Sequence, residues 1–195
     1  MRPSLILPSH MSLLIDLASG RGHFAEEMAR RLSRPIVVSD FSPRILRQDR
    51  QRFKFLGLYE HTSLLAFDAR RTPFKDGAIR TLTTYQGLAN IQEPRDLLSE
   101  LRRVVSGVFL GLTFFFPEGD RENAAAIAGL GLSTELLFRN SALTSFSKSG
   151  WEVRILASCQ GRALPTPPST ILEGAKIDAL PIAETTLDWC LLEAK

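Results

Sequence analysis

At 195 residues, with 44% hydrophobic and 23% charged positions and a formal charge of +3, the chain has the make-up of one globular domain and not of a disordered, fibrous or disulfide-stapled protein. No apolar run reaches the ~18 residues of a membrane span, and the opening MRPSLILPSH is too short and too proline-interrupted for a secretory signal, so the expected setting is the cytoplasm. Residues 1–75 carry 13 Lys/Arg against 7 Asp/Glu, a balance of +6, and residues 76–195 carry 11 against 14, a balance of −3; RNA is left open as a partner but not favoured, because most of the arginines fall on exposed helix faces.

Along the chain, LLIDL (13–17) reads as a short strand. The small-residue turn Ala18-Ser19-Gly20-Arg21-Gly22 follows, and then a helix with apolar positions at Phe24, Ala25, Met28, Ala29 and Leu32. IVVSD (36–40) is a second strand; Ser42 and Pro43 supply an N-cap and first helical position for a basic helix over about 43–54. Strands are expected at 63–67, closed by Asp68, and at 78–85, then a helix over 94–105 ending before Gly107. VFLGLTFFF (108–116), apolar on both faces, suits a central strand. Residues 133–149 read as one helix, 151–158 and 185–194 as strands, and the last two strands as antiparallel neighbours. Cys159 and Cys190 each fall in an apolar strand and read as buried thiols, with neither a disulfide nor a metal site indicated.

The alternation defines an α/β fold, a Rossmann-like three-layer αβα sandwich whose mostly parallel seven-stranded sheet ends in an antiparallel strand. It is read as one domain over 1–195, with a cofactor-binding half at 12–117 and a substrate-side half at 118–195. The latter holds a proline-rich connection at 159–184, longer than an idle connection needs, which reads either as a functional lid or as a disordered surface loop.

In such a sheet, ligands bind beyond the carboxyl ends of the strands. Those ends carry Asp16 with Ala18, Ser19, Gly20 and Gly22, then Asp40 and Phe41, then Asp68 and Ala69, then Tyr85. The glycines allow positive φ and close backbone approach, and the helix entry offers free N–H groups to an anion. Asp40, twenty residues past Gly20, stands where a carboxylate accepts from ribose hydroxyls, and Asp68 where it accepts from an exocyclic amine such as adenine N6. Together they point to an adenosine-containing ligand.

LLIDLASGRGHF (13–24), the acid at Asp40, FDARRTPFKDGAIRTL (67–82) and ANIQEPRDLLSELRRVV (89–105) resemble class I S-adenosylmethionine-dependent methyltransferases, in particular the type 11, ubiquinone-biosynthesis group. The resemblance covers about 12–117. It implies S-adenosylmethionine as cofactor, held by Asp16, Ala18, Ser19, Gly20, Gly22, Asp40, Phe41, Asp68, Ala69 and Tyr85, and methyl transfer to an acceptor, a small molecule being preferred. Ala18 stands where the family has a glycine, which is acceptable if its φ stays negative. Asp16 lies close to the start, which implies an open site, or one covered by a second copy, a partner subunit or the 159–184 segment. Tyr85, His23 and His10 are the candidates for a catalytic role, and Phe115, Phe116 and Pro117 for an apolar acceptor wall. Two alternatives stay open: a non-catalytic methyltransferase-like subunit, and an NAD-dependent oxidoreductase, since Gly20, Gly22 and Ala25 also satisfy the dinucleotide fingerprint.

Overall fold

A computed structural model describes residues 14–32, 34–167 and 176–195. His10 and the middle of the long connection, 168–175, lie outside the described residues. Seven strands form one sheet: β1 (Leu14–Asp16), β2 (Ile36–Asp40), β3 (Thr62–Ala66), β4 (Ile79–Tyr85), β5 (Val105–Phe115), β6 (Val153–Ala163) and β7 (Thr185–Ala194). Their order is β3-β2-β1-β4-β5-β7-β6, parallel from β3 to β5, with β7 inserted antiparallel between β5 and β6. Strand order reverses at β1, whose neighbours are β2 and β4, and a crevice therefore opens at its carboxyl end.

Alternation along the strands sorts side chains to two faces. Leu14, Ile36 and Val38 pack with α1 (His23–Arg31) and α2 (Pro43–Phe55) through Ala25, Met28, Leu46 and Phe53. Their sequence neighbours Ile15 and Val37 join the larger cluster fed by Leu97, Leu98 and Leu101 of α3 (Pro94–Val104). A third cluster gathers Phe114 and Phe116 with Ile127 and Leu137. The three-layer sandwich expected from the sequence is the fold observed.

Three segments depart from expectation. Residues 121–129 form a helix, α4 (Arg121–Gly129), capped by Asp120, whose carboxylate accepts from the Asn123 N–H at 3.1 Å. The helix expected over 133–149 is two, α5 (Thr134–Leu137) and α6 (Arg139–Lys148). Phe138 between them is extended, because the Leu137 carbonyl accepts from the Phe116 N–H at 3.0 Å and a β-bridge joins Phe138 to Phe116. β6 runs on to Ala163, paired with β7 throughout; it is the sheet's edge strand and mostly solvated, so 159–163 lack the apolar pattern that marks a strand. For the same reason Cys159 is exposed, contrary to expectation, while Cys190 on β7 is buried and its thiol is pushed up to about 11 by burial.

Candidate functional site

The turn after β1 is built almost entirely from backbone. Leu17 N–H donates to the Thr83 carbonyl at 2.8 Å, Ser19 N–H to Ser39 at 2.9 Å, and Gly22 N–H closes back on Ser19 at 3.0 Å. Three residues take left-handed φ: Ala18 at 51°, Gly20 at 54° and Gly22 at 67°. Ala18 thus has the conformation it was expected to avoid, at a cost of order 1–2 kcal/mol for a residue with a Cβ. It is accommodated because Gly87, on the turn after β4, leaves room: a Cβ there would lie 2.6 Å from the Ala18 Cβ.

The two turn glycines serve different ends. A Cβ on Gly20 would meet nothing within 4 Å, so this residue faces open space; one on Gly22 would press on Phe53 and Asp49 of α2, so this residue lets α1 and α2 approach. Gly20 N–H donates to Asp40 Oδ2 at 3.1 Å, and Ser42 N–H to Asp40 Oδ1 at 2.8 Å. The carboxylate at the end of β2 thereby fixes both the glycine turn and the entry to α2, where Ser42 Oγ accepts from the Ile45 N–H at 3.4 Å as the expected cap.

A cleft of about 690 Å³ opens here. Among the expected residues, Ala18, Gly20, Asp40, Phe41, Asp68 and Ala69 line it, with Phe41 standing largely in solvent. Ile45, Gln48, Arg70, Asn90, Ile91 and Gln92, which were not expected, also line it. Asp68 is not a free acceptor: Arg70 grips it through its backbone N–H and Nε on Oδ1, both at 3.0 Å, and Nη2 on Oδ2 at 2.8 Å, and the hydrogen bond lowers the carboxyl pKa. Arg70 also pairs with Glu93 at 2.8 Å. The signal was available in the sequence Asp68-Ala69-Arg70, a cation two residues from the intended acceptor.

Asp16, Ser19, Gly22 and Tyr85 are not on the wall. Asp16 is buried beneath the turn; its Oδ1 accepts from Thr83 Oγ1 at 3.3 Å, its Oδ2 has no partner, and burial pushes the acid up to about 7. Ser19 Oγ is likewise buried without a partner. Tyr85, half-exposed at the end of β4, stacks on Phe24 at 6.1 Å. Burial and the Asp178 charge raise its phenol, so it remains protonated at neutral pH and is a donor, not a base. His23 is also unsuited as a base: its Nδ1 lies 2.7 Å from Arg52 Nη2, and burial with the Arg52 charge lowers its pKa. Phe115 and Phe116 are core residues in different clusters, not an acceptor wall.

The fold is a seven-stranded α/β sandwich with a crevice at the point where strand order reverses, and the comparisons with known proteins show what it is similar to. Residues 14–107 match the family model described as a methyltransferase domain. The chain is similar to the ubiquinone/menaquinone biosynthesis C-methyltransferase UbiE of Rickettsia bellii, 27% identical over 115 residues covering 55% of this chain and 46% of the relative. It therefore spans about half the length of the curated relatives it matches. Among solved structures, the YcgJ protein from Bacillus subtilis superposes with a TM-score of 0.70 at 14% identity, covering 94% of this chain and 91% of that one. Geranyl diphosphate C-methyltransferase from Streptomyces coelicolor, solved with Mg2+, geranyl diphosphate and S-adenosyl-L-homocysteine, superposes with a TM-score of 0.65 at 16% identity, covering 94% and 72%. Residues 14–107 of the chain thus resemble a methyltransferase domain, and the chain shares its fold with the solved structures named above. Among the described residues no helix is long and apolar enough to cross a membrane.

Proposed function

We propose that the protein is an S-adenosylmethionine-dependent methyltransferase acting on a small-molecule acceptor in the cytoplasm, with the cleft between the glycine turn, Asp40 and Ala69 as its cofactor site. The observation that carries this reading is Asp40. Its oxygens are oriented by two backbone N–H groups at the mouth of the cleft, one of them from Gly20, so a carboxylate and an open glycine cradle are presented side by side. The cleft volume also suits a ligand of nucleoside size.

Asp40 would hold the ribose hydroxyls of the cofactor, and Ala18 and Gly20 would allow its close approach along the turn. Asp68, with its charge already engaged by Arg70, would serve the adenine end as part of an ion pair and not alone. When bound, the cofactor supplies a methyl group on a sulfonium, a good leaving group, so the chain mainly contributes alignment. With His23 tied to Arg52 and Tyr85 protonated, neither supplies a base, which favours an acceptor nucleophilic without one or one whose proton leaves to solvent. The C-methylation named for UbiE and for the geranyl diphosphate enzyme supports a small, largely apolar acceptor. NAD finds no comparable support, since the matching family model is a methyltransferase domain.

The test is thermal stabilisation by S-adenosylmethionine, S-adenosylhomocysteine and NAD, each near 100 times its dissociation constant, where a binder adds about 2.7 kcal/mol. The first two are expected to stabilise and NAD not. Stabilisation by NAD alone would reverse the assignment. Demethylation of the cofactor against pooled metabolites then identifies the acceptor.

A further inference from the structure

The outer side of α2 carries charge and apolar surface that neither the core nor the cleft uses. Leu46, Asp49 and Phe53 form its buried stripe. Arg47, Arg50 and Lys54 follow the spacing i, i+3, i+7, so they share one exposed flank of the helix, and Phe55 at its last position is 89% exposed. None of these four lines the cleft.

The flank is positive with nothing on the helix to offset it. Within α2 the one acid is Asp49, buried on the inner stripe, and Glu60 is the first acid beyond the helix. Arg52 turns to α1, where it pairs with Glu26. Arg50 and Lys54 lie 5.6 and 5.3 Å from the centre of the Tyr59 ring, which holds both cations on the flank. A cation in the last turn complements the helix dipole, which accounts for Lys54 but for neither Arg47 nor Arg50.

We propose that α2 docks the protein on an anionic phospholipid surface, with Arg47, Arg50 and Lys54 on the headgroup phosphates and Phe55 entering the acyl boundary. A row of cations ending in a phenylalanine that stands in solvent is complementary to a plane that is negative on its surface and apolar just beneath. Both signals are needed, since a short basic patch or a single apolar group alone holds a protein only transiently. Nucleic acid fits the flank less well: a single strand is held in a groove lined with free ring faces, whereas this is the convex side of a helix and the Tyr59 ring already carries two cations. Docking also bears on the cleft. Phe41, 73% exposed and on the cleft lining, directly precedes the cap of α2, so the docked helix brings the cleft mouth within about 20 Å of the inserted Phe55, and an apolar acceptor would reach it from the bilayer.

The test is sedimentation of the full chain with vesicles of phosphatidylcholine alone and with roughly one third phosphatidylglycerol, at low and at high salt. The chain should bind the anionic vesicles only, and high salt should release it. At about fivefold per cation, Arg47→Gln, Arg50→Gln and Lys54→Gln together should weaken binding roughly a hundredfold, and Phe55→Ser alone roughly tenfold. Removing the same charge elsewhere, by Arg80→Gln, Arg95→Gln and Arg121→Gln on β4, α3 and α4, should change it little. All these positions are exposed, so the variants should melt with the wild type; should the first triple not fold, Phe55→Ser and the single Arg47→Gln carry the test. Equal binding to neutral and anionic vesicles, an equal loss in the control triple, or wild-type binding by Phe55→Ser overturns the proposal. So does binding of a single-stranded RNA through the same three cations with none to anionic vesicles, which would assign the flank to nucleic acid. S-adenosylmethionine is absent throughout, so the docking surface and the cofactor site can fail separately.

Discussion

Asp40 does two jobs at one carboxyl group, and a substitution there must be read with both in mind. Asp40→Ala removes the ligand's acceptor but also strands the N–H groups of Gly20 and Ser42, so Asp40→Asn is the cleaner change. Losing a hydrogen bond to a charged group costs about 1.5–3 kcal/mol; S-adenosylmethionine affinity measured by calorimetry should therefore fall roughly 10–100-fold. The pair Ala18 and Gly87 makes a second residue-scale prediction. Gly87→Ala places a methyl group 2.6 Å from the Ala18 Cβ and 2.7 Å from Thr84 Oγ1, and overpacking of this kind costs about 1–3 kcal/mol in denaturant unfolding. Adding Ala18→Gly should recover part of that loss, since it removes one of the colliding atoms and relieves a left-handed alanine; a pair of strictly additive effects would count against the contact.

Among the elements, α4 is anchored by a buried polar side chain as well as by Ile127. Asn123 donates to Asp120 Oδ2 at 2.8 Å and to the Ala183 carbonyl at 3.2 Å, while its own Oδ1 accepts from Ile182 N–H at 2.9 Å and Ala183 N–H at 3.2 Å. It binds the helix to the approach to β7. Asn123→Ala orphans several of these groups at once and should cost about 2–4 kcal/mol of stability, whereas the exposed neighbour Glu122→Ala should cost little. Equal effects of the two would mean that α4 is not anchored there. The sequence made the outlines of β1, α1, β2 and α2 plain, because Ser42-Pro43 caps a helix and Ile36-Val37-Val38 runs apolar on both faces. It concealed α4, since Ala124, Ala125 and Ala126 give almost no apolar stripe and the buried position that matters is an asparagine. The break at Phe138 was hidden for a different reason: it follows from a bridge to Phe116, a contact that no local pattern carries.

Over the whole molecule, two groups of acids pull stability in opposite directions with pH. Glu26, Asp68, Glu100 and Asp120 have lowered pKa values through hydrogen bonds and ion pairs, so their contribution is present above the ordinary carboxylate range and is lost as pH falls through it. Asp16 and Asp49 are raised to about 7, so theirs is present below about 4 and is lost as pH climbs through 7. The proton repelled from His23 opposes this second trend, but from an exposed ring that solvent screens. The ligand-free protein should melt highest near pH 4 to 4.5, and Asp49→Asn should raise the melting temperature at pH 8 more than at pH 5. A rise equal at both values would show that Asp49 is already ionised in the fold. The cleft was legible in part because strand ends are fixed by topology: Gly20, Asp40, Asp68 and Ala69 fall at the ends of consecutive strands and face one space. Asp49 and Arg70 were not read, although an acid on the apolar stripe of α2 and a cation two residues from Asp68 were both visible; what they do depends on distances across elements.

The central claim is that the space between the glycine turn and Asp40 takes an adenosyl sulfonium. Calorimetric titration of the purified chain with S-adenosylmethionine tests it most directly: one ligand should bind per chain, with affinity reduced at least tenfold in Asp40→Asn. Absence of binding, or binding that Asp40→Asn leaves untouched, would contradict it.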